Sequence, residues 1–351
     1  MLHTSKTQKP VTIKDVARKA GTSIATVSYV FSNAERNIRP ELRQRVLQAA
    51  AEIGYVKNAA ASSMKGKPRG ILAVVVAQFA NTFFTRMCVD IVSIARQAGY
   101  IVTLCNSDED PDQERIILER LVAQRIDGCI LCPAMSREEN TVLLRKYRIP
   151  YVILERSFPE STTPHNFVGH NNYHSGYLAT RHLLEAGHRR IAFSGWDSPI
   201  PNVCERVDGY QAALREFGVT PEHDLILTDE LSEAAGRRMA EKLLESDVTA
   251  VVLGQHDTAK GTLLYFQDRG IRWPDDLSLV MIGTPEWAGV LRPRLTCIQR
   301  PEHKMGDTAA ELLLSAIAKP ETPPAHHVFL SSVSEGDSVS RRQASHRVAL
   351  A

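Results

Sequence analysis

The chain has 351 residues, 43% of them hydrophobic and 23% charged, proportions that exclude a disordered or fibrous protein and leave room for two or three cores. No apolar run reaches membrane-spanning length and no basic-then-apolar segment opens the chain, so neither a membrane partner nor export is expected, and the expected location is cytoplasmic. The net charge of +2 hides an asymmetry: residues 1–69 hold 13 Lys or Arg against 4 Asp or Glu, while residues 70–351 hold 29 against 36.

The basic head reads as three short helices. Thr12 caps the first, with Asp15 three residues on as its capping-box partner, and Ile13, Val16, Ala17 and Ala20 fall on one stripe. Gly21 ends it. Ser23 caps the second, which turns Val27, Val30 and Phe31 inward and leaves Ile24, Ala25, Ser28 and Tyr29 outward. Pro40 stands at a first helical position; Leu42, Val46, Ala49, Ala50 and Ile53 form the third stripe, and Gly54 stops it. A short second helix with an open outer face fits the major groove, as in a helix-turn-helix. The alternative is an ordinary helical hairpin, against which the +9 head on a −7 body argues.

From residue 70 the pattern alternates. Strands are expected at 71–77, 100–104, 128–132 and 151–154, with helices at 83–98, 113–122 and 138–147 between them. After a break at 159–164, strands are expected near 190–193, 225–227, 250–253 and 279–282, with helices near 175–185, 206–217, 233–244 and 258–269. Such alternation predicts two doubly wound parallel sheets in series. Ligands of these sheets bind at the carboxyl ends of the strands, so the cleft between the two is the expected site.

Enzyme signatures are missing from these turns. Residues 78–84 (QFANTFF), after the first strand, contain no glycine for a backbone to approach a pyrophosphate, and no Walker-type loop occurs. Cys129 and Cys132 lie three apart in a strand, where they face opposite sides, so they read as buried apolar residues rather than a redox pair or a zinc site. His326 and His327 read as solvated loop before the last strand, and Asp257 beside His256 has no nucleophile elbow to serve. No metal, cofactor or catalytic residue is expected. A solute-binding protein of the same fold is the second rival class; it would have no use for a basic head.

Residues 11–17 (VTIKDVA), 25–28 (ATVS), 54–55 (GY) and 58–63 (NAAASS) resemble the headpiece of the lactose-repressor/galactose-repressor family of bacterial transcriptional regulators. Residues 81–84 (NTFF), 106–110 (NSDED), 125–128 (RIDG), 187–192 (GHRRIA) and 293–296 (PRLT) are similar to later segments of that family, in order. The resemblance implies an all-α helix-turn-helix headpiece at 1–57, a hinge helix and linker at 58–69, and an effector-binding and dimerisation body at 70–335. That body would be two-lobed, like periplasmic sugar-binding proteins, with crossovers near 157–168, 295–302 and 320–330, before a tail at 336–351.

In the family the hinge helix wedges an apolar side chain into the minor groove. Met64 is the matching residue, where leucine is usual; the alternative is a linker residue packed on the body. Lys57 stands where proline is usual. The DNA-contacting set implied is Thr12, Ser23, Ile24, Ala25, Thr26, Ser28, Tyr29, Asn33, Asn58, Ala61 and Met64.

In the body, Asn81, Phe83 and Phe84, together with Arg206, match effector-contacting positions. Arg206 has five fixed donors for paired oxygens; the alternative is a surface charge at a helix start. His256 and Asp257 stand where Asn-Asp is usual, with a His256 charge free to change near neutrality, and Arg156 follows another strand end. The family's Asp pair after residues 279–283 is replaced by Thr284, Glu286 and Trp287; Trp196 and Trp287 read either as stacking surface or as core. Loss of that Asp points to a sugar acid or phosphorylated sugar over a neutral sugar, unless Glu286 swings in. The implied protein is a DNA-binding repressor on a pseudo-palindromic operator, controlled by a small sugar-like effector. A purine- or nucleoside-responsive co-repressor of the same fold is the alternative. The tail at 340–351 lacks leucine heptads, so a homodimer is expected.

Overall fold

A computed structural model describes residues 11–31, 38–56 and 68–342. The chain divides at Arg69 into two compact units, Met1–Arg69 and Gly70–Ala351.

In the first unit α1 (Ile13–Lys19), α2 (Ile24–Phe31) and α3 (Pro40–Glu52) enclose a small core. The Asp15 carboxylate accepts from the Thr12 backbone N–H at 3.0 Å and from its hydroxyl at 2.7 Å, and Ser23 Oγ accepts from Thr26 N at 3.1 Å. Gly21, with φ +60°, makes the turn between the first two helices. Val16, Val27 and Val46, one from each helix, have no solvent exposure, and Phe31 packs on Tyr55 with ring centroids 5.5 Å apart. That leaves Ile24 45% exposed and Ala25 exposed beside it. The expected contacts Asn33, Asn58, Ala61 and Met64 lie outside the described residues.

The second unit holds two six-stranded sheets. The first lobe carries β1 (Ile71–Val76), α4 (Thr82–Gln97), β2 (Ile101–Asn106), α5 (Pro111–Ala123), β3 (Gly128–Leu131), α6 (Thr141–Lys146), β4 (Tyr151–Leu154) and β5 (Asn166–His170). The second carries α7 (Asn172–Glu185), β6 (Ile191–Trp196), α8 (Pro201–Glu216), β7 (Ile226–Asp229), α9 (Glu233–Leu244), β8 (Ala250–Leu253), α10 (His256–Asp268), β9 (Ser278–Ile282) and β10 (Thr296–Gln299). The chain then returns through α11 (Glu302–Ala318) and β11 (His326–Phe329) to the first lobe and ends with β12 (Ser332–Ser334) in the second sheet. The orders are β11-β5-β4-β3-β1-β2 and β12-β10-β9-β8-β6-β7, with β10–β12 antiparallel and the other described pairs parallel. Apolar side chains leave both faces of each sheet. One face of the first packs against α4 and α11, the other against α5 and α6; the second sheet lies between α7–α8 and α9–α10.

Both helix pairs of the second lobe interlock through glycine. A Cβ on Gly176 of α7 would lie 2.0 Å from the Arg206 carbonyl oxygen, and one on Gly209 of α8 would lie 2.0 Å from that of Tyr173. In α9 and α10, Gly236 and Gly261 approach Thr258 and Glu233 as closely.

Several sequence expectations shift. Residues 157–168 are a loop and the start of β5, all in the first lobe; the chain crosses at Asn171, which caps α7 by accepting from His174 N at 2.8 Å. His326 and His327 are not loop but an edge strand, β11, solvated as expected because the edge faces outward. Residues 336–342 are not a free tail. Ser338 is fully buried, and its hydroxyl accepts from Thr296 N at 2.8 Å and donates to the Leu279 carbonyl at 2.6 Å; that serine ties the chain to backbone groups at the starts of β9 and β10. Cys129 and Cys132 are buried on opposite faces of the first sheet, in different cores.

Candidate functional site

The carboxyl ends of both sheets border a cleft. Its lining follows strand ends: Gln78 after β1, Glu109 after β2, Glu155 and Arg156 after β4, Trp196 ending β6, Leu231 after β7, Gln255 after β8, Ile282 ending β9 and Arg300 after β10. Asn81, Phe83 and Phe84 come from the start of α4, Asn202, Val203 and Arg206 from α8, and His256 and Asp257 from α10.

Of the expected effector residues, the cleft thus gathers Asn81, Phe83, Phe84, Arg156, Trp196, Arg206, His256 and Asp257. It does not gather Thr284, Glu286 or Trp287. The Thr284 carbonyl accepts from Arg86 Nη1 at 3.0 Å, Glu286 is exposed at the start of a short 3₁₀ turn, and Trp287 packs against the core between the second sheet and α9–α10. The turn after β9 therefore supplies no carboxylate in place of the family's Asp.

Most of the gathered side chains are already engaged. Asn81 Oδ1 caps α4, accepting from Phe83 N at 3.1 Å. Phe83 is 1% exposed, and the Arg300 guanidinium lies over its ring at 3.8 Å, so this aromatic face backs an arginine instead of meeting a ligand. Arg156 forms a bidentate pair with Glu109 and donates to the Pro133 carbonyl at 3.2 Å. Burial opposes its charge, yet Glu109 and other neighbours hold its pKa above the usual value. Arg206 donates from Nε to Asn172 Oδ1 and from Nη1 to the Gly254 carbonyl, each at 2.9 Å. Burial, then repulsion from Arg300, lowers its pKa to about 10, so it stays charged at neutral pH.

Nine of the lining residues were not expected from the sequence, and two of them, Glu155 and Arg300, bring buried charge to the site. Glu155 sits at φ +67°, a left-handed conformation costly for a side chain with a Cβ. Its carboxylate meets His170 Nδ1 at 2.8 Å and accepts from Asn202 Nδ2 at 3.3 Å. Burial opposes its charge, but His170, Arg206 and Arg300 hold its pKa well below the ordinary range; burial in turn keeps His170 neutral. Arg300 is 5% exposed, with Nη2 at 3.4 Å from His256 Nε2 and 3.7 Å from Glu302 Oε1. His256 does not titrate near neutrality: burial, with Arg300, Arg206 and Arg86 around it, drives its pKa far below the usual value. A polar residue directly after an apolar strand was the available signal, and it had singled out Arg156; residues 296–299 were too short and mixed to read as a strand.

In the first unit, Ile24, Ala25, Thr26, Ser28 and Tyr29 lie on or beside the open face of α2, and Thr12 and Ser23 are engaged in the caps of α1 and α2. Among the described residues no group of three metal-ligating side chains occurs, and no described helix is long and apolar enough to cross a membrane.

Residues 12–58 match the model of bacterial regulatory proteins of the lacI family, and residues 69–330 match that of periplasmic binding proteins and the sugar binding domain of the LacI family. The catabolite control protein A of Priestia megaterium is 33% identical over 88% of this chain and 93% of its own length. The HTH-type transcriptional repressor PurR of Vibrio atlanticus is 32% identical over 87% and 92%. A solved LacI-family transcriptional regulator from Silicibacter pomeroyi superimposes with a TM-score of 0.81 at 26% identity, covering 95% of this chain and all of that one.

Proposed function

The chain belongs to the lacI family of bacterial regulatory proteins, and on that premise we propose that it is a cytoplasmic, homodimeric repressor whose operator affinity is set by a small polar metabolite held between its lobes. Membership makes it a DNA-binding transcriptional regulator with an effector-binding body, and not an enzyme. The observation that carries the effector reading is the cleft itself, at the carboxyl ends of the parallel strands of two sheets, with Arg206 and Arg300 buried on its second-lobe side. A ligand that contacts both lobes binds one lobe arrangement better than another, and that difference in affinity is what shifts a population between DNA-competent and incompetent states.

Residues Ile24, Ala25, Thr26, Ser28 and Tyr29 read the major groove. Thr12, Ser23 and Asn33 flank it, and Asn58, Ala61 and Met64 form the hinge contact at the operator centre. Two copies of this unit require two half-sites, hence a pseudo-palindrome. The test begins with selection of bound duplexes from a random pool, followed by titration of the selected site against sugars, sugar acids and nucleobases. A palindromic consensus whose affinity responds to one ligand class, with the response lost in Arg206→Ala, is expected. A consensus without two-fold symmetry, or a ligand response that survives Arg206→Ala, would overturn the reading.

A further inference from the structure

The cleft's hydrogen-bonding groups are unevenly spent. Several of its acceptors are occupied, Asn81 Oδ1 by Phe83 N, Gln255 Oε1 by Trp196 N at 2.8 Å, the Glu109 carboxylate by Arg156, and Glu155 by His170, Asn172 and Asn202, while Gln78 and the Asp257 carboxylate also line it. Among the described residues, the buried Arg300 Nε, Arg156 Nε and Gln255 Nε2 have no hydrogen-bond partner, and only Asn202 Oδ1 is a buried lining acceptor left over. A neutral polyol brings as many donors as acceptors. Among its buried unpartnered atoms, this lining offers more to a ligand's acceptors than to its donors.

The arginines around the cleft differ in how fully they are engaged. Arg300 lies 3.4 Å from His256, and Arg206 and Arg86 also repel a charge on it. Three carboxylates answer them: Glu302, 3.3 Å from Arg86 and 3.7 Å from Arg300, Glu155, and Glu205 next to Arg206 in the chain. Glu109 and Arg156 cancel each other, and the Asp257 carboxylate, its pKa raised by burial and lowered by Lys260, also lines the cleft. Arg300 carries the fewest hydrogen bonds of these three arginines, and its guanidinium lies over the Phe83 ring at 3.8 Å. Taking a guanidinium out of water with so few partners is costly, and an oxyanion that it grips removes that cost.

Resting on the regulator reading above, we propose that the effector is a hydroxylated metabolite bearing a carboxylate or phosphate group, and that Arg300, with Arg206, holds that oxyanion and sets the preference for acid over neutral ligand. Asn202 Oδ1 meets one ligand hydroxyl, and the face of Phe83 is not available for stacking because Arg300 occupies it.

The test is calorimetry on the full chain with matched sets: glucose, gluconate, glucuronate and glucose 6-phosphate, the corresponding pentose series, and inorganic phosphate alone. At low salt an acid or phosphate ester should bind at least about tenfold more tightly than its neutral counterpart, with an advantage that shrinks as salt rises. Preference for the carboxylate members or for the phosphate ester identifies the source of the oxyanion. Arg300→Gln should bring the acid-to-neutral ratio to about one, and Arg300→Lys should keep part of it. Should Arg300→Gln not fold, the ratio and its salt dependence in the unaltered chain still decide. A neutral sugar bound as tightly as its acid, or an acid preference unchanged in folded Arg300→Gln, overturns the assignment while leaving the regulator reading intact. Absence of binding by every anion at millimolar concentration overturns it as well. Failure of the regulator reading shows separately, as absence of operator selection, which needs no ligand.

Discussion

At the scale of single residues, the body is built around buried charge whose balance depends on pH. His256 sits among three arginines and keeps its imidazole neutral in the folded state. The unfolded chain accepts that proton at the ordinary value of 6.5. The folded pKa is the lower one, so this contribution to stability is present above pH 6.5 and is lost as pH falls below it. The slope for one such histidine is at most about 1.4 kcal/mol per pH unit. His170 and His188, also lowered by burial, add to the same trend. Denaturant midpoints of the body should therefore decline below pH 6.5, and His256→Gln should flatten that decline without abolishing it. A midpoint that stays level from pH 7 to 5 would contradict the neutral assignment. That histidine's position at a strand end was readable from the sequence. Its neutrality was not, because two of the three charges that enforce it, Arg86 and Arg300, come from elements at opposite ends of the body.

At the scale of elements, the second lobe depends on helices closer than side chains allow. Gly176 and Gly209 let α7 and α8 touch backbone to backbone, and the carbonyl that Gly176 meets belongs to Arg206. A methyl group at Gly209 would lie 2.0 Å from the Tyr173 oxygen, and a rigid backbone pair can relieve that only by moving apart. Gly209→Ala should cost about 1–3 kcal/mol, the range for overpacking, despite alanine's better helix propensity. It should also weaken ligand binding, since α8 carries Arg206. Urea denaturation and calorimetry on the same sample would check both; a stabilised variant would mean the helices are free to separate.

Strand-helix alternation in residues 71–154 and 190–282 was legible because the strands are short apolar runs and the helices have stripes. The return segment was not. In α11 the buried Met305, Ala309, Ala310 and Leu313 follow helical spacing, but the segment follows β10, whose four residues carry no pattern, and so it had no strand to pair with. The edge strands β11 and β12 are exposed and polar, which is how loops also read.

At the scale of the whole molecule, the sequence divides a basic DNA reader from an acidic ligand-binding body, and each half should fail independently. Met64→Ser should leave ligand binding unchanged and weaken the specific operator by a few kcal/mol, roughly the cost of unstacking a base step, with protection lost at the operator centre in a footprint. A footprint unchanged at the centre would remove Met64 from the interface.

Ala25→Asp separates recognition from folding more sharply. Ala25 is exposed in the first turn of α2, where a carboxylate faces the positive end of the helix dipole and favours the helix. The substitution should therefore leave the melting temperature of the headpiece level or slightly raised. In the major groove the same carboxylate would meet base-edge acceptors and the phosphate field without a cation to pair with. Operator affinity should fall by at least about 3 kcal/mol, on the scale that separates specific from non-specific binding, while calorimetry of the effector stays unchanged. Salt titration gives a second reading. The slope of log affinity against log salt, about −0.9 per phosphate neutralised, should keep its value for random duplex, because the 13 basic residues of the head remain. Operator affinity preserved in this variant would show that α2 is not the helix that reads the DNA.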